Sequence, residues 1–294
     1  MKKIIGILAA STLFLCGCSN DTNEAYDLKK MNFEAVHPNL ETRIQGNSFE
    51  TGDCMGVFVT KYKGENAAPL ELSGNYANNV AVRFDGKSWN CDRPIYWEEG
   101  KFDVYAYYPY TKPNSVDEYE FSVQLNQSAE NNTTSLNAYE ESDLLWCKKE
   151  GVAETKRVPL LFKHKLSKLT VKLVKGKDFA GEIPDDIVVR IHNTVPTALI
   201  DLATGSVTKH SYQLPKAIQA KKLTPESHTA ILVPQRLESK RPLIEVITKG
   251  VSYLVESRFY FKEGVEHTIQ VTLNNSPDRI KINIGGEIES GWNE

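Results

Sequence analysis

Long hydrophobic runs are scarce in this chain of 294 residues. The N-terminal run from Ile4 to Leu15 has only twelve members, against the roughly 20 that span a bilayer as a helix. A multi-span membrane protein is therefore excluded. Charge of one sign is lacking too, with 35 Lys and Arg against 38 Asp and Glu and a net charge of −3. Such a balance provides no field to gather nucleic acid, and no polybasic stretch marks a membrane-surface helix. Five cysteines are too few for a disulfide-stapled scaffold. With 40% hydrophobic and 10% aromatic residues, the composition is that of a globular protein, neither disordered nor collagen-like. At roughly 100–200 residues per domain, the length accommodates two ordinary cores.

Catalytic signatures are missing as well. The chain contains no nucleophile elbow, His-Glu-Xaa-Xaa-His, phosphate-binding loop or dinucleotide fingerprint. Its six histidines (His37, His164, His192, His210, His228, His267) are scattered singly, without ligand spacing, so no metal site and no cofactor are expected. The carboxylate pairs Glu98-Glu99, Glu140-Glu141 and Asp185-Asp186 lie beside Gly, Ser or Pro. Adjacent residues there point apart, which makes them poor acid–base pairs. No enzyme is expected.

The first segment is an address. Met1-Lys2-Lys3 precedes the apolar run, and Leu15-Cys16-Gly17-Cys18 resembles a bacterial lipobox. Residues 1–17 are read as a lipoprotein signal peptide, with Cys18 taking the lipid and becoming the mature N-terminus. Loss of Lys2 and Lys3 leaves 33 basic against 38 acidic residues, a net charge of −5. One or two acyl chains, at about 0.8 kcal/mol per buried methylene, hold such a protein on a membrane. Residues 18–30 are polar and read as a tether. Cys54, Cys91 and Cys147 remain after processing. They fit buried thiols, or one disulfide and one free thiol, and Lys148-Lys149 could lower the pKa of Cys147.

Beyond the tether the chain is rich in period-two patterns. Val80, Val82 and Phe84 alternate with polar or small residues, and Asp85-Gly86 predicts a hairpin turn. Phe102, Val104, Ala106 and Tyr108 form one face of a strand, and Tyr119, Phe121, Val123 and Leu125 another. Val158/Leu160/Phe162, Leu169/Val171/Leu173 and Ile187/Val189/Ile191 repeat the pattern. Leu243 to Thr248, a Lys249-Gly250 turn and a strand from Val251 to Phe261 predict a second hairpin. The Asn-rich stretch 128–141 reads as loop. The fold class is all-β, because no helical pattern of 10–15 residues separates the strands. Residues 148–156 read as a loop and the most plausible boundary, dividing the chain into domains at 31–156 and 157–294. Trp89, Trp97 and the cluster Tyr105, Tyr107, Tyr108 and Tyr110 could stack on sugar rings, or serve simply as strand formers.

Several phrases occur in an order that resembles the fimbrillin family, the Mfa-like proteins of type V pili. They are Thr42-Arg43, Phe49-Glu50-Thr51-Gly52-Asp53, Met55-Gly56-Val57-Phe58-Val59 and Pro94-Ile95-Tyr96-Trp97. Phe102 to Tyr110, Ser142 to Trp146, Val158 to Leu169, Gly264 and Ile288…Trp292 come after them. The resemblance implies two transthyretin-like β-sandwich domains in tandem, on an exported lipoprotein of the outer membrane and cell surface. It implies a structural subunit or membrane anchor of fimbriae that supports adhesion to a host or bacterial surface ligand. Its partners are then other fimbrial subunits, with no nucleic acid among them. It further implies an Arg-specific cut at Arg43, releasing a first strand that carries Met31, Phe33 and Ala35, and exchange of that strand with a neighbour. The alternative is a surface lipoprotein that binds glycans through exposed aromatics on a β-sandwich.

Overall fold

The computed structural model describes residues 29–36, 49–130, 136–179, 181–274 and 281–293. Cys18, Arg43 and the signal peptide lie outside the described residues. Within them the chain is all-β apart from one helical turn, Ala138–Glu141.

The larger first sheet has seven strands. Along it run Lys163–His164, Leu145–Val152, Phe102–Tyr108, Cys54–Lys63, Ala77–Phe84 and Trp89–Cys91, with Asn66–Ala67 beside Cys54–Lys63. Phe102–Tyr108 is central and buried along its whole length. Its alternation divides it between two cores, as side chains of a strand point to opposite faces. Phe102, Val104, Ala106 and Tyr108 join Met55, Val57 and Val82 in one cluster. Tyr105 and Tyr107 join Phe58 and Tyr119 in the other. Gly56 permits this packing: a Cβ there would stand 2.4 Å from the Tyr107 ring.

The first cluster is completed by a parallel pair, Phe33–Val36 with Val158–Leu161. Val158–Leu161 lies beyond the boundary expected at residue 156, yet Val158, Leu160 and Phe162 pack with Met31 and Phe33 in this cluster. From Leu166 onward the chain's core residues belong to the second cluster alone.

That second cluster takes the inward residues of two further sheets. One has five strands in the order Lys221–Thr224, Ser227–Leu232, Ser167–Lys175, Val265–Asn274 and Lys281–Gly291. The other has four: Lys216–Gln219, Val188–Thr194, Gln235–Thr248 and Val251–Phe261. Thr248 pairs with Val251 across Lys249-Gly250, both at positive φ, as the hairpin signal requires. A three-stranded sheet, Ser206–Lys209, Thr197–Asp201 and Tyr119–Ser122, carries a strand from the first half into the second.

Four local expectations are corrected. Leu145–Val152 is a strand paired to Phe102–Tyr108, so most of the expected 148–156 loop is sheet. Its charges misled because they pair: Lys148 Nζ lies 2.6 Å from Glu150 Oε1, and the Gly151 N–H donates to Asp103 Oδ1 at 2.8 Å. In the 128–141 stretch, Asn137 caps Ala138–Glu141 in a reciprocal box with Glu140, which makes a helical turn from polar residues. Leu125 lies past its strand and is exposed. The Asp85-Gly86 hairpin is real, but its central pair is Gly86-Lys87, with the Asp85 carboxylate accepting from the Lys87 and Ser88 N–H groups.

Candidate functional site

The segment Lys29 to Val36 lies in a groove between two elements of the first half. On one side it runs antiparallel to residues 95–97. The Met31 N–H donates to Ile95 O and the Trp97 N–H to Lys29 O, each at 2.8 Å, and Lys30 bridges Tyr96. Farther along it runs parallel to Val158–Leu161, in the register Phe33↔Val158 to Val36↔Leu161. The Val158 N–H donates to Asn32 O and the Phe162 N–H to Val36 O. Met31 and Phe33 are only 2% and 3% exposed, Glu34 faces solvent and Ala35 is half-buried. The sequence-selected residues Met31, Phe33 and Ala35 therefore share one inward face. Burying each large side chain contributes about 1.5–3 kcal/mol. Beside Phe33, a cleft of about 460 Å³ separates the segment from Trp89, with Lys156 and Arg157 at its rim.

Where the described chain resumes, Phe49 fills the far end of the groove. Its ring meets Trp89, Tyr108 and Phe162 edge-on, with centroids 5.0, 5.4 and 5.8 Å away. Asp53 fixes the turn just after it: its carboxylate accepts the Glu50 N–H at 2.7 Å and the Tyr108 hydroxyl at 2.9 Å. Burial holds the Asp53 carboxyl above the usual range, opposed by those two hydrogen bonds. Tyr108 is pushed up by its own burial and by the Asp53 charge. Periodicity does not single out Phe49 or Asp53, since Phe49 precedes a turn and Asp53 closes it; only their place in an ordered phrase marks them.

The aromatics that could have stacked on sugar rings serve as strand formers and core. Trp89, Trp97, Tyr105, Tyr107 and Tyr108 are buried and Tyr110 half-buried. Their hydrophobic area fills the two cores instead. Cys54, Cys91 and Cys147 are free thiols. Cys147 is pushed up by burial rather than lowered by its lysine neighbours, because Lys148 turns toward Glu150 and Asp103. Burial raises Cys91 to about 11. Two of the described histidines make packing contacts: His164 stacks on Trp292 at 3.9 Å with Nδ1 2.8 Å from Asp143, and His192 meets Glu245 at 2.8 Å. Among the described residues no group of His, Cys, Asp or Glu is placed to hold a metal ion.

The fold is thus that of an all-β protein in which a short N-terminal strand completes one of two cores. The fimbrillin-like family profile matches residues 42–291, and the chain belongs to that family. It is accordingly a fimbrial, cell-surface protein with a structural rather than catalytic role, acting among other fimbrial subunits. No curated protein matches the chain. Among solved structures, it is similar to a candidate cell adhesion protein from Bacteroides uniformis ATCC 8492, with 19% identity and a TM-score of 0.64 over 90% of this chain and 98% of that one. A candidate cell adhesion protein from Bacteroides ovatus ATCC 8483 matches with 19% identity and a TM-score of 0.64, over 91% and 98% of the two chains. A fimbrial protein from Bacteroides vulgatus ATCC 8482 matches with 14% identity and a TM-score of 0.53, over 90% and 99%. At these identities the likeness is one of fold.

Proposed function

We propose that this protein is a structural subunit or membrane anchor of fimbriae that joins its neighbours by β-strand exchange. In this scheme Cys18 carries the lipid, an Arg-specific protease cuts after Arg43, and the segment holding Met31, Phe33 and Ala35 departs. The two cores correspond to tandem transthyretin-like domains, and the assembled fibre adheres to a host or bacterial surface ligand.

The observation that carries the proposal is the plug-like setting of Lys29 to Val36. Its two buried side chains complete a core otherwise built from residues 49–162, yet the Phe33–Val36 ladder is only four residues long. Removing it exposes apolar surface and unpaired backbone groups, which a partner strand satisfies by augmentation. Phe49 and Asp53 support the same scheme, because they tie down the chain just beyond the cut and keep the groove's far end shaped.

The test is cleavage of lipid-free mature protein with an Arg-specific protease. Uncut protein is expected to be monomeric, and cut protein to begin at Ile44 and assemble into species that survive heating in detergent. Arg43→Ala should block assembly and leave the unfolding midpoint of the uncut protein unchanged. Cut protein that stays monomeric with every candidate subunit would overturn the proposal. Burial of Trp89, Trp97, Tyr105, Tyr107 and Tyr108 withdraws these aromatics from the glycan-binding alternative.

A further inference from the structure

Trp97 is 6% exposed, and its indole Nε1 is buried with no hydrogen-bond partner. Leaving a buried N–H unmade weighs on an equilibrium by a factor of about five to a hundred. Such a cost in a well-packed core calls for a reason.

The segment across from Trp97 sets no acceptor side chain at the paired position. The backbone pairing of Trp97 with Lys29 and of Lys30 with Tyr96 sets residue 29 opposite residue 97. A lysine ammonium has three donors and no acceptor, so it cannot receive the indole N–H. Lys29 Nζ instead reaches Glu154 Oε1 at 2.5 Å. Trp97 also lines two clefts. One cleft of about 520 Å³ is shared with Tyr76, Arg93 and Glu98. Another of about 490 Å³ is shared with Asn32, Thr155 and Lys156.

We propose that Trp97 is a specificity determinant of the groove, selecting an incoming strand with a side-chain acceptor at the place Lys29 now holds. This rests on the strand-exchange function proposed above. The partner is then a strand of another subunit bearing Asn, Gln, Ser, Thr, Asp or Glu in that register. At position 29 alone, the chain's own segment supplies no acceptor to the indole.

Two arms test this separately from exchange itself. In the first, Lys29→Gln and Lys29→Met are placed in the uncut mature chain, each with Trp97 and with Trp97→Phe, and unfolded in denaturant. Both substitutions remove the Glu154 contact, but only Gln supplies an acceptor. The folding constant of Lys29→Gln should exceed that of Lys29→Met by about fivefold with Trp97, and equal it with Trp97→Phe. No advantage, or one that persists without the indole, would overturn the proposal. Should Trp97→Phe fail to fold, the Trp97 background alone decides: Gln no better than Met refutes it. In the second arm, protein cut after Arg43 is challenged with synthetic 29–36 peptides carrying Lys, Gln or Met at position 29. The Gln peptide should leave about fivefold more slowly than the Met peptide. Coupling in the first arm with no peptide retained in the second would count against exchange while upholding the indole's preference.

Discussion

His228 shows how one residue can make this protein sensitive to acid. Its ring is buried on the strand Ser227–Leu232, with Nε2 3.4 Å from Ile187 O and Nδ1 without a partner. Desolvation lowers its pKa from 6.5 to about 4, and Lys222 pushes in the same direction. The unfolded chain thus binds a proton that the folded chain refuses between those values. The stability contribution is full above pH 6.5 and is lost as pH falls toward 4, amounting to about 3 kcal/mol at 1.36 kcal/mol per unit. Denaturant unfolding from pH 7 to 4.5 should show this slope in the wild type and a flatter one in His228→Leu. The thiols offer a second prediction at this scale. Burial disfavours all three thiolates, so thiol reagents at pH 8 should label Cys54 and Cys91 slowly and Cys147 only on unfolding. Rapid labelling of Cys147 in the native protein would contradict its packing.

Among the elements, the segment Lys29 to Val36 stands apart because it adds two buried side chains through a short ladder. In the uncut protein, Phe33→Ala should cost about 3 kcal/mol or more, the usual consequence of deleting a buried aromatic ring. After cleavage at Arg43 and release of the segment, mutant and wild type become the same molecule and should unfold alike. A variant that remains weaker after release would place the role of Phe33 elsewhere. The strand Leu145–Val152 carries the opposite lesson. It looks like a linker in composition, yet its ladder with Phe102–Tyr108 and the Gly151 hydrogen bond to Asp103 make it part of the sheet. Limited proteolysis should therefore spare it.

The whole molecule is tied together across its two cores. Tyr107 and Phe58 reach from the back of the first sheet into the second cluster, and Tyr119–Ser122 pairs with Thr197–Asp201. Trp146 Nε1 donates to Leu202 O at 2.8 Å, and His164 stacks on Trp292. Cores built on the two faces of one sheet lose it together, so calorimetry of the mature protein should show one cooperative transition. Two well-separated transitions would mean that these contacts contribute little.

Period-two patterning determined much by itself. Phe102, Val104, Ala106 and Tyr108 share a core as their spacing implies, as do Val158, Leu160 and Phe162, because a strand's side chains can only alternate. The all-β class was legible for the same local reason, the Lys249-Gly250 hairpin from its turn residues, and the strand with Met31 and Phe33 from the resemblance. Only the tertiary structure decided which strands meet. It sent Val158–Leu161 to Phe33–Val36 and Tyr119–Ser122 to the second half, turned Lys148 to Glu150, and buried Trp97 opposite Lys29. Backbone groups in any extended segment can pair with any other, so pairing is settled by how all the apolar faces are covered at once. That is a property of the assembled layers, and no single stretch of residues carries it.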